Sequence, residues 1–591
     1  MPLLQLDMLP MEVLQAISQF LDASHKPNVA SVSLVNRTCR RAAAPALFRE
    51  LHVRKSSPQQ LVDDTERWYQ ILLANDSLRY VRKVVILSNT YRHLRLRTHG
   101  TATDAITGKF EAFVNEKPWL PLATLIEKFT GLRDVHFSCN TTIASCLLDS
   151  LRRANLSTCR LHVTDFRLRG LQRPLSIELP QPLSLLPEDV ALIDSANLCA
   201  ISLNTNRSGS VNSDYTVDAL FELVARAYPA LREVEVVRTR PKVSPRARSK
   251  KPYPGLRLDY NVHPSIRPPG SKAQLTSLIL RGRDPQIQRW QHYANFTVLR
   301  KLNITDCLDA DTMDWVADSA PFPALSCLEI RILSRYALST AKLLSSLPGL
   351  QDLTIHGVVN DSIMMAIEQK HGLTLQRLSL RAFICSADTL TSLRDACPQL
   401  AHLTVTVPRT RGDDDEVAIY TTLGTFPQLQ TISLELDCAI ANGDETITNA
   451  NKNSKYIQST LINCAVDSQL AASIFDKISS AKLAGSAPLH TVELNVVNAG
   501  IVGSATSGYD ANKAHVYHHF ARKWICNVHP RDDWRGGAVA LESEASRLGR
   551  ERHDNAGFQL PELGELEGAF RELWPDMGGD WRDEWRSFAL Q

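Results

Sequence analysis

A hydrophobic pattern, apolar-x-x-apolar-x-apolar, returns along the middle of this chain at intervals of roughly 25 residues. No other feature constrains the fold as strongly. It stands at Leu299/Leu302/Ile304, Leu325/Leu328/Ile330, Leu350/Leu353/Ile355, Leu375/Leu378/Leu380 and Leu400/Leu403/Val405. Leu275/Leu278/Leu280 continues it upstream, and Leu429/Ile432/Leu434 and Leu489/Val492/Leu494 continue it downstream. Weaker matches occur earlier, at Phe48/Leu51/Val53, Val81/Val84/Ile86, Leu132/Val135/Phe137, Thr158/Leu161/Val163, Leu198/Ile201/Leu203 and Leu231/Val234/Val236. The alternation puts apolar side chains on one face of a short strand. So short a unit cannot bury that face alone, so successive units must stack.

Helical spacing fills the rest of each unit. Leu390, Leu393 and Ala396 share a face before Cys397-Pro398, and Leu343, Leu344 and Leu347 precede Pro348-Gly349. The same junction occurs at Tyr228-Pro229, Phe322-Pro323 and Phe426-Pro427. Proline ends a helix and biases the residue before it toward extended geometry. Each unit therefore reads as helix, proline stop, turn, strand. This resembles a degenerate leucine-rich repeat. The usual asparagine after the strand core is mostly missing, and Cys307 stands at that place once. The expected fold class is α/β: a solenoid with parallel strands on its concave face and helices on its convex face.

The N-terminus follows another rule. Asp7 can cap a helix, with Pro10 in its first turn. Val13, Leu14, Ile17, Phe20 and Leu21 then recur at helical spacing. His25, Lys26 and Pro27 interrupt the pattern, a second run holds Val29, Val32, Leu34 and Val35, and a short helix is predicted over Arg40 to Leu47. Taken without its partners, this is a helical cap on a larger core. The ordered set Leu9-Pro10, Glu12, Leu14, Ile17, Leu34-Val35-Asn36, Arg40, Ala44-Pro45 and Leu47-Phe48-Arg49 resembles an F-box of the type common among fungal proteins, with Cys39 where many carry Trp or Phe. The resemblance implies binding to a Skp1-type adaptor through Leu9, Pro10, Val13, Leu14, Ile17, Leu34 and Val35, and through that adaptor to a cullin.

The expected organisation has four parts: a helical module over 1–53, a connecting region with irregular repeats over 54–130, the solenoid over 131–498 and a Trp-rich cap over 499–591. Insertions are expected at 88–118, 241–272, 436–455 and 499–512, with an exposed turn at 409–416. The net charge of +3 does not favour a nucleic-acid partner. No apolar run is long enough for a bilayer span. No signal peptide is expected at the N-terminus. Twelve scattered cysteines without a C-x-x-C pair read as reduced thiols of a cytoplasmic or nuclear protein.

Candidate chemistry is sparse. Arg238, Arg240, Lys242, Arg246, Arg248, Lys250 and Lys251 form a basic stretch, read as a solvated loop or as a nuclear-import, nucleic-acid or acidic-partner contact. His515, His518, His519 and His529 lie near Cys526 without metal-site spacing, so no metal or cofactor is expected, and this stretch reads as an amphipathic capping helix. The stretch at 542–553 reads as an exposed helix. The aromatics around Trp574, Trp581 and Trp585 read as a solenoid cap or as a binding surface. No nucleophile elbow, phosphate loop, His-Glu-x-x-His or kinase signature is present. The expectation is a non-catalytic substrate receptor of a Skp1–cullin–F-box ubiquitin ligase. The alternatives are an adaptor-bound assembly protein outside ubiquitination, or a nuclear scaffold using residues 238–251.

Overall fold

The computed structural model describes residues 9–24, 26–88, 116–139, 141–153, 156, 158–164, 166, 168, 172–174, 183–204, 212–214, 216–226, 230–238, 255–257, 271–282, 286–438, 450–498, 519–528, 538–554, 565–575 and 580–590. The chain divides into two compact units, Met1–Asp306 and Cys307–Gln591. Both are α/β, built on mostly parallel sheet.

The first unit opens with three helices, α1 (Met11–Ser24), α2 (Lys26–Val35) and α3 (Arg37–Leu47). Asn36 caps α3 by accepting the Cys39 amide at 2.8 Å. This starts the third helix earlier than its apolar residues suggest. Strands β1 (Glu50–Lys55), β2 (Lys83–Ser88), β3 (Asp134–Ser138) and β4 (Arg160–Thr164) then pair in chain order, all parallel. Leu198–Asn204, Glu233–Arg238, Ser277–Gly282 and Lys301–Cys307 extend the same parallel order. The boundary expected at residue 53 thus falls inside a strand.

In the second unit, strands Cys327–Arg331, Asp352–His356, Arg377–Ile384, His402–Pro408, Thr431–Asp437 and Thr491–Val497 are again parallel and sequential. The sheet keeps the apolar pattern in register, with Leu353 beside Leu378, Leu378 beside Leu403, Leu403 beside Ile432 and Ile432 beside Val492. All three apolar positions of each strong repeat are buried. The carbonyl before each of the first five of these strands also receives two amides from the next repeat: that of Gln351 accepts Gln376 at 2.9 Å and Arg377 at 3.0 Å. Burial and backbone pairing therefore select the same register.

Helices alternate with these strands. Asp309, Asn360, Ser386 and Asp413 each cap the helix after a strand by accepting an amide three residues on, and Asp467 does the same for Ser468–Ser480, which follows the helix Ala450–Cys464. The predicted proline stops follow: Ala337–Ser346 ends before Pro348, Ala387–Ala396 before Pro398, and Asp414–Gly424 before Pro427.

Several expectations are corrected. The exposed turn at 409–416 is anchored from within, because Arg409 and Glu416 pair at 2.6 Å with both side chains fully buried, while Asp414 and Asp415 are exposed. The polar stretch over 436–455 ends in a helix, Ala450–Cys464. Lys523–Asn527 is a strand, not part of a capping helix, and it pairs antiparallel with Thr491–Val497. Its burial alternates, with Trp524 and Cys526 inside, which is strand periodicity. Val539–Glu542 adds a second antiparallel strand, so the sheet is not wholly parallel. Glu544–Asp554 is the expected helix.

Trp574, Trp581 and Trp585 are buried around Phe520 and Phe570. Ser587 ties this segment down, its amide and hydroxyl meeting Asp467 at 3.1 and 2.6 Å. These aromatics form interior packing and do not offer a binding surface. The insertions at 89–115, 239–254, 258–270, 439–449 and 499–518, with Asp7, His25, Ser244-Pro245, His515, His518, His529, Trp534 and Leu563, lie outside the described residues.

Candidate functional site

The N-terminal helices have a small interior and a large apolar exterior. Leu14, Cys39 and Ala42 form one buried cluster, with Leu9, Met11 and Val32 packed on it. Val29, Ala43 and Ala46 form a second, flanked by Leu21 and Leu47. Alanines let α3 approach its neighbours closely, so three short helices can share so slight a core. The Pro10 carbonyl accepts the amides of Val13 and Leu14, both at 3.1 Å, and starts α1.

The seven residues implicated by the F-box resemblance fall into three groups. Pro10, Val13, Leu34 and Val35 are exposed, Leu34 by 77%. Leu9 and Ile17 are half-buried, and Leu14 is wholly buried in the module's own core. Phe20, outside that set, is 73% exposed. Apolar side chains this open on so small a module suit a partner surface, whereas scattered single exposures need no explanation.

A second cluster lies on the outward face of β3 and β4. His136 and His162 are register partners, their rings stacked at 4.3 Å and 7° apart. Asp134 Oδ1 lies 3.3 Å from His162 Nε2, and Arg160 Nε donates to the same oxygen at 2.7 Å. Burial pushes the Asp134 carboxyl up, but Arg160 and His162 outweigh it and hold the group below its ordinary range. Burial pushes His136 down to about 4, reinforced by His162 and Lys83. Lys83 pairs with Glu50 at 3.1 Å on the same face. The sequence signal for this cluster was available: each histidine sits between the last two apolar positions of consecutive repeats.

Other candidates resolve differently. His519 is buried against Trp581, with ring centroids 5.1 Å apart, and the Cys526 thiol donates to the Ala471 carbonyl at 3.4 Å. These contacts commit both to packing. Of the basic stretch, only Arg238 is described, at the end of a strand. None of the twelve cysteines is in a disulfide. Among the described residues, no helix is long and apolar enough to cross a membrane.

No protein-family model matches this chain, and no curated protein is significantly similar to it.

Proposed function

We propose that this chain is a non-catalytic substrate-recognition subunit of a Skp1–cullin–F-box ubiquitin ligase, acting in the cytoplasm or nucleus. The observation that carries the reading is the three-helix module, which keeps Leu14 for its own core while leaving Val13, Leu34 and Val35 open to water. A Skp1-type adaptor would cover those side chains, and a cullin would join through the adaptor. The repeat body, read as a leucine-rich-repeat-like solenoid, would hold a protein substrate on its outward polar strand face. A rigid scaffold carrying exposed polar side chains suits recognition. The chain would supply no bond-making group itself. Its contribution would be proximity, raising the effective concentration of a substrate lysine near a charged conjugating enzyme.

The test is co-purification of the full chain with Skp1 and cullin, beside a Leu34→Asp/Val35→Asp double variant. Both positions are exposed, so the variant leaves the interior intact. Recovery of both partners, lost in the variant, supports the reading. Recovery of Skp1 without cullin favours an assembly role outside ubiquitination. Recovery of neither overturns it.

A further inference from the structure

We propose that Asp134, His136 and His162 form a binding site for a zinc-class divalent cation on the outward face of β3 and β4. Among the described residues this is the one group in which three such side chains bring their ligand atoms within 4.8 Å of one another. Around a tetrahedral zinc ion, ligand atoms sit about 3.3 Å apart. The gap closes by side-chain rotation, because the backbone already holds the histidines as direct register partners. His162 Nε2 faces the Asp134 carboxylate oxygen at 3.3 Å, so binding there would exchange that bridging proton for the cation.

The donor set suits zinc better than magnesium or calcium, since two of three ligands are imidazoles. Zinc has no electronic preference for geometry, so it tolerates a frame set by a sheet. An imidazole must be neutral to bind metal, so binding should weaken as pH falls. Arg160 is a competitor: its Nε, 2.7 Å from Asp134 Oδ1, holds the oxygen that the cation would take. The half-buried setting leaves a fourth position for water.

The test is calorimetric titration of the chelator-stripped full chain with zinc chloride, followed by the visible absorption of bound cobalt(II). His136→Ala and His162→Ala should each weaken one equivalent of zinc at least roughly tenfold. His356→Ala, at a histidine paired with Glu329, should leave that equivalent in place. Arg160→Gln should tighten it by removing the competing cation, an effect a purely structural role would not produce. Absence of a zinc equivalent in the wild type overturns the proposal, as does unchanged affinity in both histidine variants. Should those variants unfold, unchanged or weaker affinity in Arg160→Gln overturns it alone.

Discussion

His371 and Leu350 are joined across one strand–helix unit: the imidazole Nδ1 accepts the Leu350 amide at 3.2 Å, while Nε2 meets the Leu344 carbonyl at 3.0 Å. The pairing assigns the proton to Nε2, because a carbonyl can only accept. A second proton would set an N–H against the Leu350 amide inside the core. Burial, the largest cause, pushes His371 down to about 4 from an ordinary 6.5. Above 6.5, folded and unfolded chains are both neutral, and the contact stabilises fully. Below it, the unfolded chain takes up a proton that the folded one refuses. Stability therefore falls as pH drops toward 4, by on the order of 3 kcal/mol in full. His371→Gln keeps one donor and one acceptor but cannot titrate. Urea unfolding at pH 7, 6, 5 and 4 should show a shallower pH slope for the variant than for wild type.

Glu416 and Arg409 are unequal partners despite their shared ion pair. Glu416 also accepts the amides of Thr410 at 2.8 Å and Gly412 at 2.9 Å, and the Tyr420 hydroxyl at 2.7 Å. Arg409 has no such reserve, since its Nε and Nη2 find no acceptor among the described residues. Glu416→Ala strands a buried guanidinium and should cost about 3–5 kcal/mol. Arg409→Met leaves the carboxylate three donors and should cost less. Equal losses in thermal unfolding would contradict this asymmetry.

The repeat positions were legible because one physical demand recurs: Leu350, Leu353 and Ile355 are buried for the same reason as Leu375, Leu378 and Leu380. Proline stops were legible because proline acts through local geometry. The caps at Asp309 and Asn360 carried an equally local signal that the apolar pattern overshadowed. Lys523–Asn527 was misread because its aromatic and basic residues fit a helix face as well as a strand, and only pairing to Thr491–Val497 decides between them. The pairing of Arg409 with Glu416 depends on where the loop folds back, which composition does not encode. Asp134 and His136 share a strand face by alternation alone, and inter-strand register then brings His162 beside them.

Gly357 follows its strand with φ at +126°, a conformation that side chains rarely adopt. A Cβ there would lie 2.3 Å from the Ile332 carbonyl oxygen, which is backbone and cannot swing aside. Gly357→Ala should therefore cost about 2 kcal/mol or more. The loss should appear in urea unfolding as a lower midpoint with an unchanged slope.

Leu14 and Leu34 separate the structural from the partner-binding role of the N-terminal helices. Leu14 is fully buried beside Cys39 and Ala42, so truncation leaves a cavity between α1 and α3. Leu14→Ala should cost about 2–5 kcal/mol, seen as faster proteolysis of the module. Leu34 is 77% exposed at the end of α2 and contributes little to that interior. Leu34→Ala should change stability by no more than about 0.5 kcal/mol. If an adaptor covers this face, the same variant should nonetheless weaken capture of Skp1 measured by surface-immobilised binding. Stability loss without binding loss at Leu34 would assign the helices to capping the repeat body. Binding loss at full stability would assign them to a partner.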